Sequence, residues 1–178
     1  MANTTFQGPV TSKAGFITTG PANVVDADSS ISLTVASHSG KIVHNDAAGA
    51  VTYTLPATNA NSDSALAGPG ADLNNLSNVG AKFEIFSSIT KTGDLVVQVA
   101  NATDVMIGSA SFIDDSSDNM VGFETASTSD TITLNGSTTG GLAGTIITCK
   151  AIGANRWGVQ VTSGGTGDLA TPFSAAVS

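Results

Sequence analysis

The residues that could do chemistry in this 178-residue chain are few, and they share no spacing pattern. The two histidines, His38 and His44, lie at the edges of predicted strands, and a turn sequence follows His44. A metal centre usually needs three or four converging ligands. The histidines therefore indicate structural or surface side chains, and the sequence predicts no metal centre.

Carboxylates crowd one short stretch of the chain, at Asp114, Asp115, Asp118 and Glu124. A calcium loop of the EF-hand type needs a glycine at its sixth position and a glutamate at its twelfth. Counted from Asp114, those positions hold Asn119 and Thr125. The stretch 114–118 is interpreted as a solvated acidic turn, with an irregular calcium site as the alternative.

Motifs for phosphate binding and nucleophilic catalysis do not occur in the contexts they need. A phosphate-binding loop follows a strand and precedes a helix. The glycine-rich run 139–144 lies between strand-like segments, and the run 68–73 lies in a long loop. No Gly-x-Ser-x-Gly sequence occurs. We expect a protein that is not an enzyme and binds no cofactor. Paired carboxylates for glycoside hydrolysis stay open, because such residues are distant in sequence.

The single cysteine and the single tryptophan both lie in predicted strands. With one cysteine, an internal disulfide is excluded, and the apolar run before Cys149 predicts a buried, unreactive thiol. Trp157 either packs in the core or offers a stacking platform for a sugar. A lone tryptophan in a strand favours the core.

Charge is sparse and acidic, with 14 Asp and Glu against 6 Lys and Arg. The basic residues are scattered singly, which excludes the clustered cations that bind nucleic acid and disfavours anionic membrane surfaces. No stretch approaches the ~20 apolar residues of a membrane span. No basic region followed by an apolar run opens the chain, so we expect synthesis and assembly in a cytoplasm.

Short segments that alternate apolar and polar residues predict an all-β fold. Residues 30–37 are predicted as the first strand. Segments 41–44 and 51–55 are predicted as strands joined by a turn at 45–49, and segments 81–88 and 94–100 as a hairpin. Further strands are predicted at 104–113, 120–127, 130–136, 144–153 and 156–163. Turn residues at roughly ten-residue spacing indicate a single antiparallel β-sandwich or jelly-roll-like domain.

Composition divides the chain into three regions. Residues 1–28 are polar, carry Gly-Pro pairs, and are predicted as an extended N-terminal arm. Residues 29–163 are predicted as the sandwich domain, and residues 164–178 as a C-terminal tail. Within the domain, residues 57–80 form a long loop of a kind that is often functional or held by a partner.

The opening sequence carries the pattern Phe-x-Gly-Pro-Val-x-Ser-x-x-Gly-Phe, which spans Phe6 to Phe16. This arm resembles the start of small virion structural proteins of tailed bacteriophages, especially marine ones. The body is similar to β-domains of phage head-decoration and fibre proteins, through "GKIVHNDAAGAVTYTLPA", "GAKFEIF" and "RWGVQV". The resemblance implies a non-enzymatic protein of the capsid surface, often a trimer, that stabilises the expanded head. Its expected partners are the major capsid protein and copies of itself.

An extended arm can add a strand to the sheet edge of a neighbour. We therefore expect the apolar residues of the arm to act as anchors on the shell or on a neighbouring copy; they are Phe6, Val10, Phe16 and Ile17. A flexible leader is the alternative for the arm. For the whole protein, the alternative is a head-fibre or tail-fibre domain that binds host surface glycans.

Overall fold

The computed structural model describes residues 23–58, 78–117 and 119–177. In these ranges the chain forms twelve strands and one short helix. The strands of the first half are β1 Val24–Asp26, β2 Ile31–Ser32, β3 Ile42–Asn45, β4 Val51–Thr54, β5 Lys82–Ser87 and β6 Leu95–Gln98. Those of the second half are β7 Val105–Asp114, β8 Met120–Glu124, β9 Thr131–Leu134, β10 Thr145–Gly153, β11 Arg156–Gly165 and β12 Phe173–Ser174. The helix, α1, is Val35–His38.

The strands form two sheets that pack as a sandwich, which confirms the predicted all-β, sandwich-like fold. One sheet has the order β1-β3-β5-β10-β11-β7-β8, and the other the order β12-β9-β6-β4-β2. The expectation of purely antiparallel sheets is wrong. Among the described strands, five of the ten pairings are parallel.

Parallel pairing arises because the first six strands alternate between the two sheets. β1, β3 and β5 lie side by side and parallel in the larger sheet, while β2, β4 and β6 do the same in the smaller one. We call two consecutive strands, one in each sheet, a rung. The three rungs are β1–β2, β3–β4 and β5–β6, and they stack side by side in register. The later hairpins β7–β8 and β10–β11 then supply antiparallel pairs.

Two predicted connections are corrected by this arrangement. Segments 41–44 and 51–55 are strands, but they belong to different sheets, and the turn between them crosses from one sheet to the other. The predicted hairpin of 81–88 with 94–100 is wrong for the same reason. Alternation of apolar and polar residues reveals that a strand is half-buried, but it does not reveal the strand's partner.

The strand predicted over 30–37 ends early. The strand covers only Ile31–Ser32, and Val35–His38 forms the short helix. Thr34 caps this helix, because its side-chain oxygen accepts a hydrogen bond from the Ser37 N–H at 3.3 Å. Val35 is consequently exposed instead of lying in the core.

The core lies between the sheets and is built from alternate residues of each strand. β10 and β11 occupy the middle of the larger sheet, and their inward side chains are buried. The largest fully buried side chains are Trp157, Tyr53, Phe83, Phe112, Leu33, Leu55, Ile85, Leu95, Met106, Ile132, Leu134 and Ile147. The Trp157 and Phe83 rings pack with centroids 5.7 Å apart.

The predicted region boundaries at 28 and 164 stay predictions, but two strands lie beyond them. Val24–Asp26 pairs with the larger sheet, and Phe173–Ser174 pairs with the smaller one. The predicted long loop at 57–80 falls mostly outside the described residues. No helix in the described ranges is long and apolar enough to cross a membrane.

Candidate functional site: the N-terminal corner

The N-terminal corner is the place where the three stacked rungs turn from the larger sheet towards the smaller one. We define it as residues 26–28, 44–47 and 87–91. Register places Asp26 beside His44, and His44 beside Phe86. Backbone hydrogen bonds continue past the strand ends, from the Ala27 N–H to the His44 carbonyl oxygen at 2.9 Å, and from the Ser88 N–H to the Asn45 carbonyl oxygen at 3.0 Å. The connections that leave β1, β3 and β5 therefore lie side by side at this corner and are joined by backbone hydrogen bonds.

The outer side of the corner is acidic and exposed. Carboxylate oxygens of Asp26, Asp28 and Asp46 lie within 4.8 Å of one another. The backbone N–H of Asp46 donates to Asp28 Oδ1 at 3.0 Å. Hydrogen bonds from Asp46 lower the pKa of Asp28, and the same side-chain contact, with repulsion from Asp28, raises the pKa of Asp46. The two carboxylates therefore titrate as a pair.

Both ring nitrogens of His44 already have partners at this corner. Nδ1 lies 3.0 Å from Asp26 Oδ1, and Nε2 lies 2.9 Å from the Ser88 hydroxyl. The ring also stacks on Phe86, with centroids 6.3 Å apart. This setting matches the structural role expected for the histidine. The three exposed aspartates offer carboxylate oxygens alone, which is the ligand type that hard cations such as Ca²⁺ take.

The inner side of the corner is a buried polar network. Lys91 is 2% exposed, and its Nζ donates to Asn45 Oδ1 at 3.1 Å and to the Ala47 carbonyl oxygen. Asn45 is fully buried, and its Nδ2 donates to the Tyr53 hydroxyl at 3.0 Å and to the Ala27 carbonyl oxygen at 3.2 Å. The Tyr53 hydroxyl in turn donates to the Ala27 carbonyl oxygen.

No carboxylate pairs with the Lys91 amine in this network. The ion pairs of the described residues are His44 with Asp26 and Lys82 with Glu84. Burial lowers the pKa of Lys91, and burial raises the pKa of Tyr53 to about 12. An amine, a carboxamide and a phenol are therefore held in contact, out of reach of a diffusing substrate. Any chemistry here takes place between the side chains themselves.

Sequence reasoning missed this network. Lys91 lies in the segment predicted as a hairpin turn, and Asn45 begins the predicted turn 45–49. Lysine and asparagine in turn sequences normally indicate exposure. One signal could have revealed it. The sequence repeats a strand, a turn and a strand in the first rungs, and stacking these repeats places Asn45 and Lys91 in neighbouring turns.

The larger sheet has an open edge beside the corner. The Ala27 N–H points towards β3. Successive residues of a strand direct their backbone groups to opposite sides, so the N–H and C=O groups of Val24 and Asp26 point away from β3. No described strand lies beyond β1 in this sheet. Val24 is 51% exposed and its register partner Ile42 is 38% exposed. Within the described part of the chain, this edge therefore offers backbone groups without a partner next to exposed apolar side chains.

The predicted acidic turn lies at the far edge of the same sheet. Asp114 accepts hydrogen bonds from the Ser116 N–H at 2.9 Å, the Ser116 hydroxyl at 2.7 Å and the Ser117 hydroxyl. The hydroxyl bonds, with Ser117 first, lower the pKa of Asp114. Asp118 is outside the described residues. The turn is thus organised by its own serines.

Trp157 lies in the core, as its sequence context favoured. It is fully buried, so it offers no platform for a sugar at the surface. Its Nε1 has no hydrogen-bond partner among the described residues. Phe6, Val10, Phe16 and Ile17, the predicted anchors, lie outside the described residues.

Cys149 is fully buried in β10, and burial raises its pKa to about 12. We expect the native protein to resist alkylation by iodoacetamide at about pH 8, since the reactive species is an exposed thiolate. Intact-mass measurement should find no adduct on the native protein and one adduct after denaturation in guanidinium. Native labelling as fast as that of the denatured chain would contradict the buried position.

No family model, curated protein or solved structure matches the chain. The candidate sites therefore rest on the geometry above and on the sequence patterns.

Proposed function

We propose that the protein is a capsid decoration (cement) protein of a tailed bacteriophage. It would bind the expanded head at the virion surface and hold neighbouring subunits together through residues 1–22. The observation that carries this proposal is the open edge at β1. The arm with the phage-like pattern precedes β1 in the chain, and no strand of the described ranges pairs with the outer side of β1.

A cement protein needs surfaces that pair only after assembly, and two features fit that need. An unpaired strand edge is a template for an added strand from a neighbouring chain. The net charge of −8 opposes aggregation of the free protein before it meets the shell. In this proposal Phe6, Val10, Phe16 and Ile17 enter apolar pockets on the shell or on a neighbouring copy, and the free protein is a homotrimer.

The alternative function is a head-fibre or tail-fibre domain that binds host glycans. Such a site typically stacks a sugar on an exposed aromatic ring. Every aromatic side chain in the described ranges is buried or half-buried, including Trp157. The burial of these aromatic rings therefore favours the decoration role over the fibre role.

Co-sedimentation with expanded, undecorated phage heads tests the proposal. The full chain should bind saturably, and a chain lacking residues 1–22 should not bind. The deletion stops at 22 because Val24–Asp26 is a strand of the larger sheet, so a deletion to 28 would damage the domain. Circular dichroism of the truncated chain checks that the domain still folds.

A matched pair of full-length variants sharpens the test. One replaces the four apolar anchors with serine, and the control replaces Thr4, Thr5, Thr11 and Thr18 with serine. We expect the first variant to lose binding and the control to retain it. Absence of binding by the unmodified chain would overturn the decoration role. Binding that survives in the anchor variant would overturn the role given to the arm.

A further inference from the structure

We propose that Lys91 and Asn45 form an intramolecular isopeptide bond at the N-terminal corner. The two side chains are 46 residues apart in sequence, and they meet where the rung β3–β4 stacks on the rung β5–β6. Lys91 Nζ lies 3.1 Å from Asn45 Oδ1, so it is already in contact with the carboxamide whose Cγ it would attack. This modification is independent of the capsid role proposed above.

Burial lowers the pKa of the Lys91 amine and so favours the neutral form, which is the form that reacts. An ammonium group carries three N–H donors, but among the described residues Lys91 finds two acceptors, Asn45 Oδ1 and the Ala47 carbonyl oxygen. A neutral amine has two N–H donors, which satisfy both acceptors and leave the lone pair free. No carboxylate forms an ion pair with Lys91 among the described residues, and the charge of Asp28 offsets the effect of burial only in part. Rotation about the Cε–Nζ bond turns the lone pair towards Asn45 Cγ.

The reaction balances without an oxidant, a cofactor or water. The Lys91 Nζ lone pair forms a bond to Asn45 Cγ, and the Cγ–Nδ2 bond breaks. One proton moves from Nζ to the departing nitrogen, which leaves as ammonia. The product is a secondary amide that joins the end of β3 to the connection between β5 and β6. Two buried polar groups become one neutral amide, which relieves the cost of a buried, unpaired amine.

Neighbouring groups hold the carboxamide and suppress the competing reaction. The Tyr53 hydroxyl accepts a hydrogen bond from Asn45 Nδ2, the leaving nitrogen, and donates its own proton to the Ala27 carbonyl oxygen. Asparagine commonly loses ammonia by attack of the next backbone nitrogen. Here that N–H belongs to Asp46 and is bound to Asp28 Oδ1 at 3.0 Å. The Lys91 amine is therefore the nucleophile best placed for Asn45.

Mass spectrometry of the denatured full chain tests the bond. We expect an intact mass lower than the sequence mass by one ammonia. After proteolysis, we expect a branched peptide that joins the segment containing Asn45 to the segment containing Lys91. A full sequence mass, with both segments recovered as separate peptides, would overturn the proposal.

Variants assign the missing ammonia to this pair. Lys91→Arg keeps a long cationic side chain but cannot form the bond, so its intact mass should equal its own sequence mass. Tyr53→Phe should accumulate the linked form more slowly after synthesis. Loss of ammonia that persists in Lys91→Arg would place the reaction elsewhere, for example at Asn135–Gly136, and would overturn the proposal. The wild-type measurement stands even if a variant folds poorly.

Discussion

Replacing Gly136 with alanine is expected to destabilise the protein by about 2 to 5 kcal/mol, the sum of a left-handed backbone cost and an overpacking cost. Gly136 has φ +78°, and a Cβ placed on it would lie 1.8 Å from the Lys91 carbonyl oxygen. The clash is with backbone, so no side chain can rotate away to relieve it. Equilibrium unfolding in urea, followed by circular dichroism, would measure the loss.

Gly40→Ala is the matched control for this prediction. Gly40 has a similar φ of +74°, but nothing lies within 4 Å of the position that a Cβ would take there. Gly40→Ala should lower the free energy of unfolding only by the left-handed backbone cost, about 1 to 2 kcal/mol. The difference between the two losses in unfolding free energy then measures the cost of the contact between a Cβ at position 136 and the Lys91 backbone. Equal losses would show that this turn can move away from Lys91 at little cost.

Trp157→Ala should lower the free energy of unfolding by about 3 to 5 kcal/mol, because it removes the largest buried side chain and leaves a cavity between the sheets. Trp157 is fully buried and packs against Phe83. Thermal and urea unfolding should both register the loss by circular dichroism, which does not depend on the tryptophan signal.

Trp157→Phe separates ring packing from the indole N–H. Phenylalanine keeps an aromatic ring next to Phe83 and removes the Nε1 group that has no described partner. The cost should therefore be well below that of alanine, at about 1 kcal/mol, since a smaller cavity is offset by the loss of an unsatisfied donor. A cost as large as that of alanine would mean that the indole N–H has a partner, such as a buried water.

The sequence allowed strands to be located much better than it allowed them to be paired. Alternation predicted the strand at 156–163, and the structure has Arg156–Gly165. Alternation also placed strands at 41–44 and 51–55, but it did not indicate that they lie in different sheets. Pairing depends on contacts between segments far apart in sequence, such as β5 with β10, and no local pattern records them.

The candidate site was less predictable than the fold, for a related reason. Asn45 and Lys91 are polar residues in turn sequences, and their burial follows only once the rungs stack. The open edge at β1 likewise depends on which strand ends the sheet. By contrast, burial of Cys149 and Trp157 could be predicted, because each lies in a strand whose own alternation points it inwards.

The order of strands in the larger sheet sets when the protein can fold during synthesis. Its central strands, β10 and β11, come late in the chain, and β11 joins β7 to the rest of the sheet. Until residue 165 has left the ribosome, β5 and β7 have no strand between them, and the larger sheet stays in two parts. We therefore expect the nascent chain to remain unfolded and protease-sensitive until β11 has been synthesised, and then to fold in one step.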